Sequence, residues 1–292
     1  MKTIQLILGL MIISTFLKAQ VFEMDIANIK KVEIHDIYGE LIIDGRNNKQ
    51  ITVKLVGENE ICSGIKNHQP AEYKADNTQL GLNISVIGDV LNVCVSSEQA
   101  QFNNYRIQLP KNVNVIVKNK FASFVNRNTD EHKSHVRDLQ VKGMKSEIDI
   151  NVFASNLILT NIKGPLLASV YMGKCNASFE RFNKENPSAI TVMEGDVLVN
   201  FEYSANAHVI LKSGKGEIKT NFPFRKATIT NNNQTFTKKN FAAKTSKKNK
   251  YSLIEGDINK GGNQITVNSL NGKVEFYQYG NPVYLPPVMV AP

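Results

Sequence analysis

Tryptophan is missing from this sequence, and cysteine occurs only three times and proline nine times in 292 residues. Without tryptophan, a sugar-stacking platform would have to come from Tyr or Phe. Cys62, Cys94 and Cys175 are too few for a disulfide framework, and their odd number leaves at least one unpaired. Two alternatives stand for them: buried free thiols, or a Cys62–Cys94 disulfide. Alternation in Leu91-Asn92-Val93-Cys94-Val95 sets Cys94 opposite the valines, while Cys175 follows a turn glycine at an inward position. No Cys-x-x-Cys or Cys/His cluster offers a structural zinc site. Helical periodicity is absent too: beyond the N-terminal stretch, no segment keeps apolar residues at i, i+3, i+4 and i+7 over three turns. Nor does any later segment supply the roughly 20 apolar residues of a membrane helix.

The first residues are different. Met1-Lys2, an apolar run over residues 4–17 and Lys18-Ala19-Gln20 have the order of a secretory signal peptide, so residues 1–19 are expected to be removed near Gln20. No cysteine follows the apolar run, which argues against a lipid anchor at the cut. The net charge is +9, of which Lys2 and Lys18 belong to the signal. Most of the remaining excess is local.

Residues 157–276 repeat one idea: a β-rich run, a glycine turn and another β-rich run. The glycines are Gly164, Gly173, Gly195, Gly216, Gly256 and Gly272, as in Glu194-Gly195-Asp196-Val197-Leu198-Val199 and Asn271-Gly272-Lys273-Val274-Glu275-Phe276. Alternation after each turn puts one set of side chains inward. Val197, Val199, Ile218, Val274 and Phe276 are therefore expected in a common core. The spacing is uneven, as in a degenerate repeat. The fold predicted is all-β: a β-solenoid or β-helix-like stack of short strands with an N-terminal meander.

In chain order, residues 20–120 read as meander and hairpins. Strands are expected around Val32-Glu33-Ile34, Leu41-Ile42-Ile43 and Ile51-Thr52-Val53, with a hairpin turn at each bend. Residues 58–78 are polar and aperiodic. Leu82-Asn83-Ile84 and Leu91-Asn92-Val93 flank Gly88-Asp89 in the clearest hairpin of the chain. Pro110 cannot donate to a ladder and marks a break before Val113-Asn114-Val115. Residues 121–280 form the glycine-punctuated region, which opens on a polar stretch containing His132 and His135. Within it, residues 231–250 lose alternation and carry Lys238, Lys239, Lys244, Lys247, Lys248 and Lys250 with no acidic residue, as expected of an exposed loop. Residues 281–292 are a proline-rich tail.

This pattern resembles the DUF4097 group, exported bacterial β-repeat proteins called adhesins on the strength of their fold. The resemblance rests on Tyr38-Gly39-Glu40-Leu41-Ile42-Ile43, on the Leu109-Pro110 step into Val113-Asn114-Val115, and on rungs ending in Asn271-Gly272-Lys273-Val274-Glu275-Phe276. It covers most of the chain after the signal. It departs where proline follows Gly164 and in the lysine-rich insertion. The resemblance implies a repeated-strand fold and an envelope protein, and brings no catalytic residues.

Chemistry is sparse. There is no Gly-x-Ser-x-Gly elbow, phosphate loop or His-Glu-x-x-His. His132 and His135 lie at i, i+3 without a partner set for a metal, and His35 alternates outward. Glu40, Asp196, Glu217 and Asp257 each follow a glycine and would line one edge if the turns stacked in register. The expected function is a non-enzymatic exported cell-envelope protein, adhesin-like or a structural binding surface, in the periplasm, at the cell surface or outside the cell. No cofactor is expected. The lysine segment points to an anionic envelope surface or glycan as partner rather than nucleic acid. The alternative is a polysaccharide-active enzyme on a parallel β-helix, which would need converging carboxylates in a groove. An outer-membrane barrel fits less well, because charges occur on both strand faces and no terminal aromatic strand is present.

Overall fold

The computed structural model describes residues 21–57, 65–66, 73–119, 123–124, 136–180, 186–202, 204–231, 234–238 and 251–279. The signal-like residues 1–19, His68, His132, His135 and the tail 281–292 lie outside them. β1 (Val21–Asp25) leads to β2 (Lys31–His35) and β3 (Leu41–Arg46). Next come β4 (Gln50–Gly57), β5 (Ile65–Lys66), β6 (Leu82–Ile87), β7 (Val90–Val95), β8 (Asn104–Pro110), β9 (Asn114–Lys118) and β10 (Ser123–Phe124). Then follow β11 (Arg137–Lys142), β12 (Ile148–Ile162), β13 (Leu166–Met172), β14 (Cys175–Phe179), β15 (Ser188–Glu194) and β16 (Val197–Glu202). β17 (Ala207–Ser213), β18 (Ile218–Thr220), β19 (Phe224–Asn231), β20 (Gln234–Lys238), β21 (Ser252–Ile258), β22 (Gln264–Asn271) and β23 (Val274–Tyr279) complete the series. Among the described residues there is no α-helix and one short 3₁₀ turn, Gln99–Phe102.

Most strands belong to two parallel ladders. The first runs β7, β2, β9, the first half of β12, β13, β15, β22, β17. The second runs β8, β3, β11, the second half of β12, β14, β16, β23, β18. Parallel neighbours cannot be joined by a tight turn. The chain solves this by alternating between the ladders, so that each passage lays one strand on each. Two successive strands, or the two halves of β12, make one rung, and the described residues give eight rungs; in the β9/β11 rung the short β10 intervenes and pairs with β5. Two rungs are out of chain order: β2/β3 sits between β7/β8 and β9/β11, and β22/β23 sits between β15/β16 and β17/β18.

Inward side chains of both ladders form one core cluster. Val197, Val199, Ile218, Val274 and Phe276 are all fully buried in it, as the alternation predicts. An aromatic column follows the spatial order of the second ladder. Phe179 stacks on Phe201 at 4.5 Å between ring centroids, Phe201 lies 5.2 Å from Phe276, and Phe276 lies 5.0 Å from Phe222.

At the corner from first to second ladder, the rungs approach closest. A Cβ placed on Gly173 would run into the Ser155 carbonyl, on Gly195 into that of Gly173, on Gly272 into that of Gly195, and on Gly216 into that of Gly272. Glycine is thus required there by contact between successive turns. Buried Ser269 and Ser213 donate to the carbonyls of Gly195 and Gly272 at 2.7 and 2.9 Å.

Three expectations are corrected. The stretch from Val32 to Val53 is not a hairpin meander: β2 and β3 join different ladders, and β4 pairs with β8 and β1. Gly256 is not a turn but lies inside β21, opposite Val209 and Ala227. The loop expected at residues 231–250 does not begin at Asn231, because β20 pairs antiparallel with β19 through Lys238; residues 239–250 lie outside the described residues. The Leu82–Val95 hairpin and the break after Pro110 are found as read.

Candidate functional site

The outward rows of the first ladder form the most distinctive surface. Register aligns Asn151, Ser169, Thr191, Asn268 and Lys212 across five rungs. Beside this polar row, Phe153 and Tyr171 stack at 4.7 Å and 13°, and Met193 and Leu270 continue the line on the next two rungs. Tyr171, Met193 and Leu270 are 40%, 38% and 45% exposed, and Leu167, two residues before Ser169, is 44% exposed. A shallow depression of about 470 Å³ lies over Asn151, Phe153, Ser169, Tyr171, Thr191 and Met193. The face carries little charge between Lys118 and Lys212.

The sequence carried a signal for this strip that inward-facing alternation hides. Tyr171, Met193 and Leu270 each stand two residues before a corner glycine, and Phe153 stands two before Ser155, which holds the same corner position. The corner fixes the phase, so at these four corners the residue two before points outward.

His208 on β17 lies between two carboxylates of β21. Its Nδ1 is 2.9 Å from Asp257 Oδ1 and its Nε2 is 3.4 Å from Glu255 Oε1. The Asp257 bond raises the His208 pKa, burial opposes it, and Glu255 adds to the rise. The trio forms an ion-pair clasp between antiparallel strands. Among the described residues no cluster of His, Cys, Asp or Glu has the arrangement of a metal site.

The acidic residues read as a possible edge ladder do not converge. Asp196 accepts a bond from the Lys273 amide at 3.0 Å, tying two rungs together. Glu217 is buried and pairs with Lys219 at 2.9 Å. Glu40 is exposed at a different corner turn, and Asp257 belongs to the His208 clasp. A second depression, about 550 Å³, lies over Phe179 and Phe201 and brings in Glu202, Asn206, Lys260 and Asn263, with a single carboxylate.

Of the six lysines singled out, Lys238 ends β20, opposite Ala227. Lys239, Lys244, Lys247, Lys248 and Lys250 lie outside the described residues, as does Cys62. Cys175 is fully buried on β14, and burial pushes its thiol up to about 12, which keeps it protonated and inert. Cys94 is half-buried on the outward face of β7. His35 is outward too, 3.5 Å from Glu33.

No family model matches the chain, and no curated protein does. Among solved structures it is similar to a "putative cell adhesion protein" from Clostridium sporogenes, at 13% identity over 88% of this chain and 97% of that one, with a TM-score of 0.38. A "putative adhesin" from Bacteroides fragilis shares 10% identity over 88% and 95%, with a TM-score of 0.40. Another from Parabacteroides merdae shares 11% over 88% and 95%, with a TM-score of 0.27.

Proposed function

We propose that this chain is a non-enzymatic, exported cell-envelope protein of the adhesin-like kind, and that its contact surface is the outward face of the first ladder. The observation that carries this reading is the strip of Phe153, Tyr171, Met193 and Leu270 beside a row of amide and hydroxyl side chains. Contiguous exposed apolar side chains are otherwise a liability on a protein surface, and they mark contact sites. Parallel strands on both sides hold the strip rigid, so little ordering entropy is lost on contact. Export rests on the N-terminal stretch, and peptide mass analysis of the secreted protein should find a chain starting at Gln20. The two alternating ladders are best described as the walls of a flattened β-solenoid.

The lysines 238, 239, 244, 247, 248 and 250 are proposed to add weak, salt-sensitive attachment to anionic envelope material. Replacing Tyr171, Met193 and Leu270 together by serine should leave the melting temperature near that of the parent. The same change should abolish retention of protein-coated beads on purified envelope fractions. Retention unchanged by the triple substitution would remove the strip from the function. Reducing ends released from an envelope polysaccharide by the purified protein would favour the hydrolase or lyase reading instead.

A further inference from the structure

The opposite edge of the stack, where the chain returns from second ladder to first, carries a lysine in each of three successive return turns, those after β8, β11 and β12, with Arg46 at the β3–β4 turn beside them. The Lys111 amide donates to the Arg46 carbonyl at 2.9 Å, the Lys145 amide to the Lys111 carbonyl at 2.8 Å, and the Lys163 amide to the Met144 carbonyl at 3.1 Å. These bonds stack the return turns after β8, β11 and β12, with the β3–β4 turn against the first of them, and so bring the cationic residues side by side. Arg46 is 3.5 Å from Asp44, and Lys163 is 2.6 Å from Glu180. Neither Lys111 nor Lys145 has an ion pair among the described residues. The Lys111 ammonium beside Lys145, with Lys163 behind it, holds Lys145 below the ordinary lysine range, and Glu180 offsets this only in part. Like charges at such short range repel, and a bound anion relieves them.

We propose that Lys111, Lys145 and Lys163 form a binding edge for a linear anionic glycan. The three turns succeed one another along the stack, and an extended polysaccharide repeats its sugars at nearly the spacing of neighbouring strands, about 4.8 Å. None of the exposed large apolar side chains among the described residues lies on these turns, so nothing there anchors in a bilayer. No aromatic side chain lies among the three lysines to stack a nucleic-acid base. Asn47, Asn48 and Asn112 flank them and share a depression with Lys111, giving the neutral donors and acceptors that sugar hydroxyls take. The site goes beyond the apolar strip and uses none of the lysines at 238–250.

The probe is polygalacturonate, titrated into the full secreted chain at low and physiological salt. Lys111→Gln, Lys145→Gln and Lys163→Gln combined should weaken binding about tenfold or more at low salt and flatten its salt dependence. Glu180→Gln frees Lys163 and should tighten binding several-fold. That gain of function cannot come from misfolding. Unchanged affinity in the triple variant, or no gain in Glu180→Gln, would overturn the assignment. Equal or tighter binding of phosphatidylglycerol vesicles or of oligo-dT through the same lysines would also overturn it. Loss of envelope retention in the Tyr171, Met193, Leu270 variant with polygalacturonate binding intact would separate this site from the strip.

Discussion

At the end of the stack that begins with β7 and β8, both ladders continue into antiparallel strands: β6 on the first, β4 and then β1 on the second. At the other end, among the described residues, only the first ladder does, through β21, β19 and β20, while the second stops at the three-residue β18. A parallel stack must finish somewhere, and its last strand offers unpaired amides and carbonyls to any neighbour. The β6 edge is covered by side chain: Asn77 accepts from the Ile84 amide at 2.9 Å and donates to the Ile84 carbonyl at 2.8 Å. The β18 edge is protected mainly by its shortness. One end is thus closed by specific polar bonds, the other by a hairpin on one wall and little edge on the other.

The comparison breaks most sharply at the aromatic column. Phe276→Ala in the seventh rung removes a ring that touches both Phe201 and Phe222, and should cost about 3–5 kcal/mol in urea unfolding. Phe222→Ala, just past β18, removes one ring contact of the column and should fall at or below the lower end of that range. Equal costs would mean that the short end of the second ladder is packed as tightly as its middle.

A smaller effect is expected at the polar end. Asp76 accepts bonds from the amides of Thr78, Gln79 and Gly81 and from the Thr78 hydroxyl at 2.8–3.0 Å. Burial opposes its charge, but these donors together hold the carboxyl below its ordinary pKa. A lowered folded pKa gives stability that is complete above the unfolded value and lost as pH falls through the folded one. Asp76→Ala should cost about 1.5–3 kcal/mol at neutral pH. It should also flatten the drop in melting temperature that the parent shows as pH falls below about 4.

The smallest effect belongs to His208. Its raised pKa gives stability that is complete below the unfolded value of about 6.5 and lost as pH rises through the higher folded value. The trio is partly exposed, so the change stays below about 1 kcal/mol. His208→Gln should remove a small fall in melting temperature between pH 6 and 8 and leave the rest of the curve alone.

Much of this was legible from alternation: the all-β class, the inward valines, the Leu82–Val95 hairpin. Partner choice was not. Tyr38-Gly39-Glu40 reads as a hairpin turn because a corner between ladders asks for the same small, permissive residue. Only the distant partners of β2 and β3 tell the two apart. Gly256 shows the converse, a glycine kept inside a strand between Val209 and Ala227. The cationic edge was invisible because Arg46, Lys111, Lys145 and Lys163 are spread over more than a hundred positions, and only the stacking of the turns makes them neighbours. The corner acids failed as a ladder for a related reason: Asp196 and Glu217 are used up holding rungs and lysines.

The placement of β22/β23 also sets the order in which the stack can be assembled. A ribosome or export channel delivers β15/β16, then β17/β18, and only much later the rung that lies between them. Until it arrives, β15 and β17 present complementary parallel edges, as do β16 and β18, and nothing in backbone bonding prevents their direct pairing. The late rung must enter a gap that is kept open or must displace a premature pairing. Growth from the leading end therefore cannot finish the far end, and closure waits for the described chain to emerge as far as Tyr279.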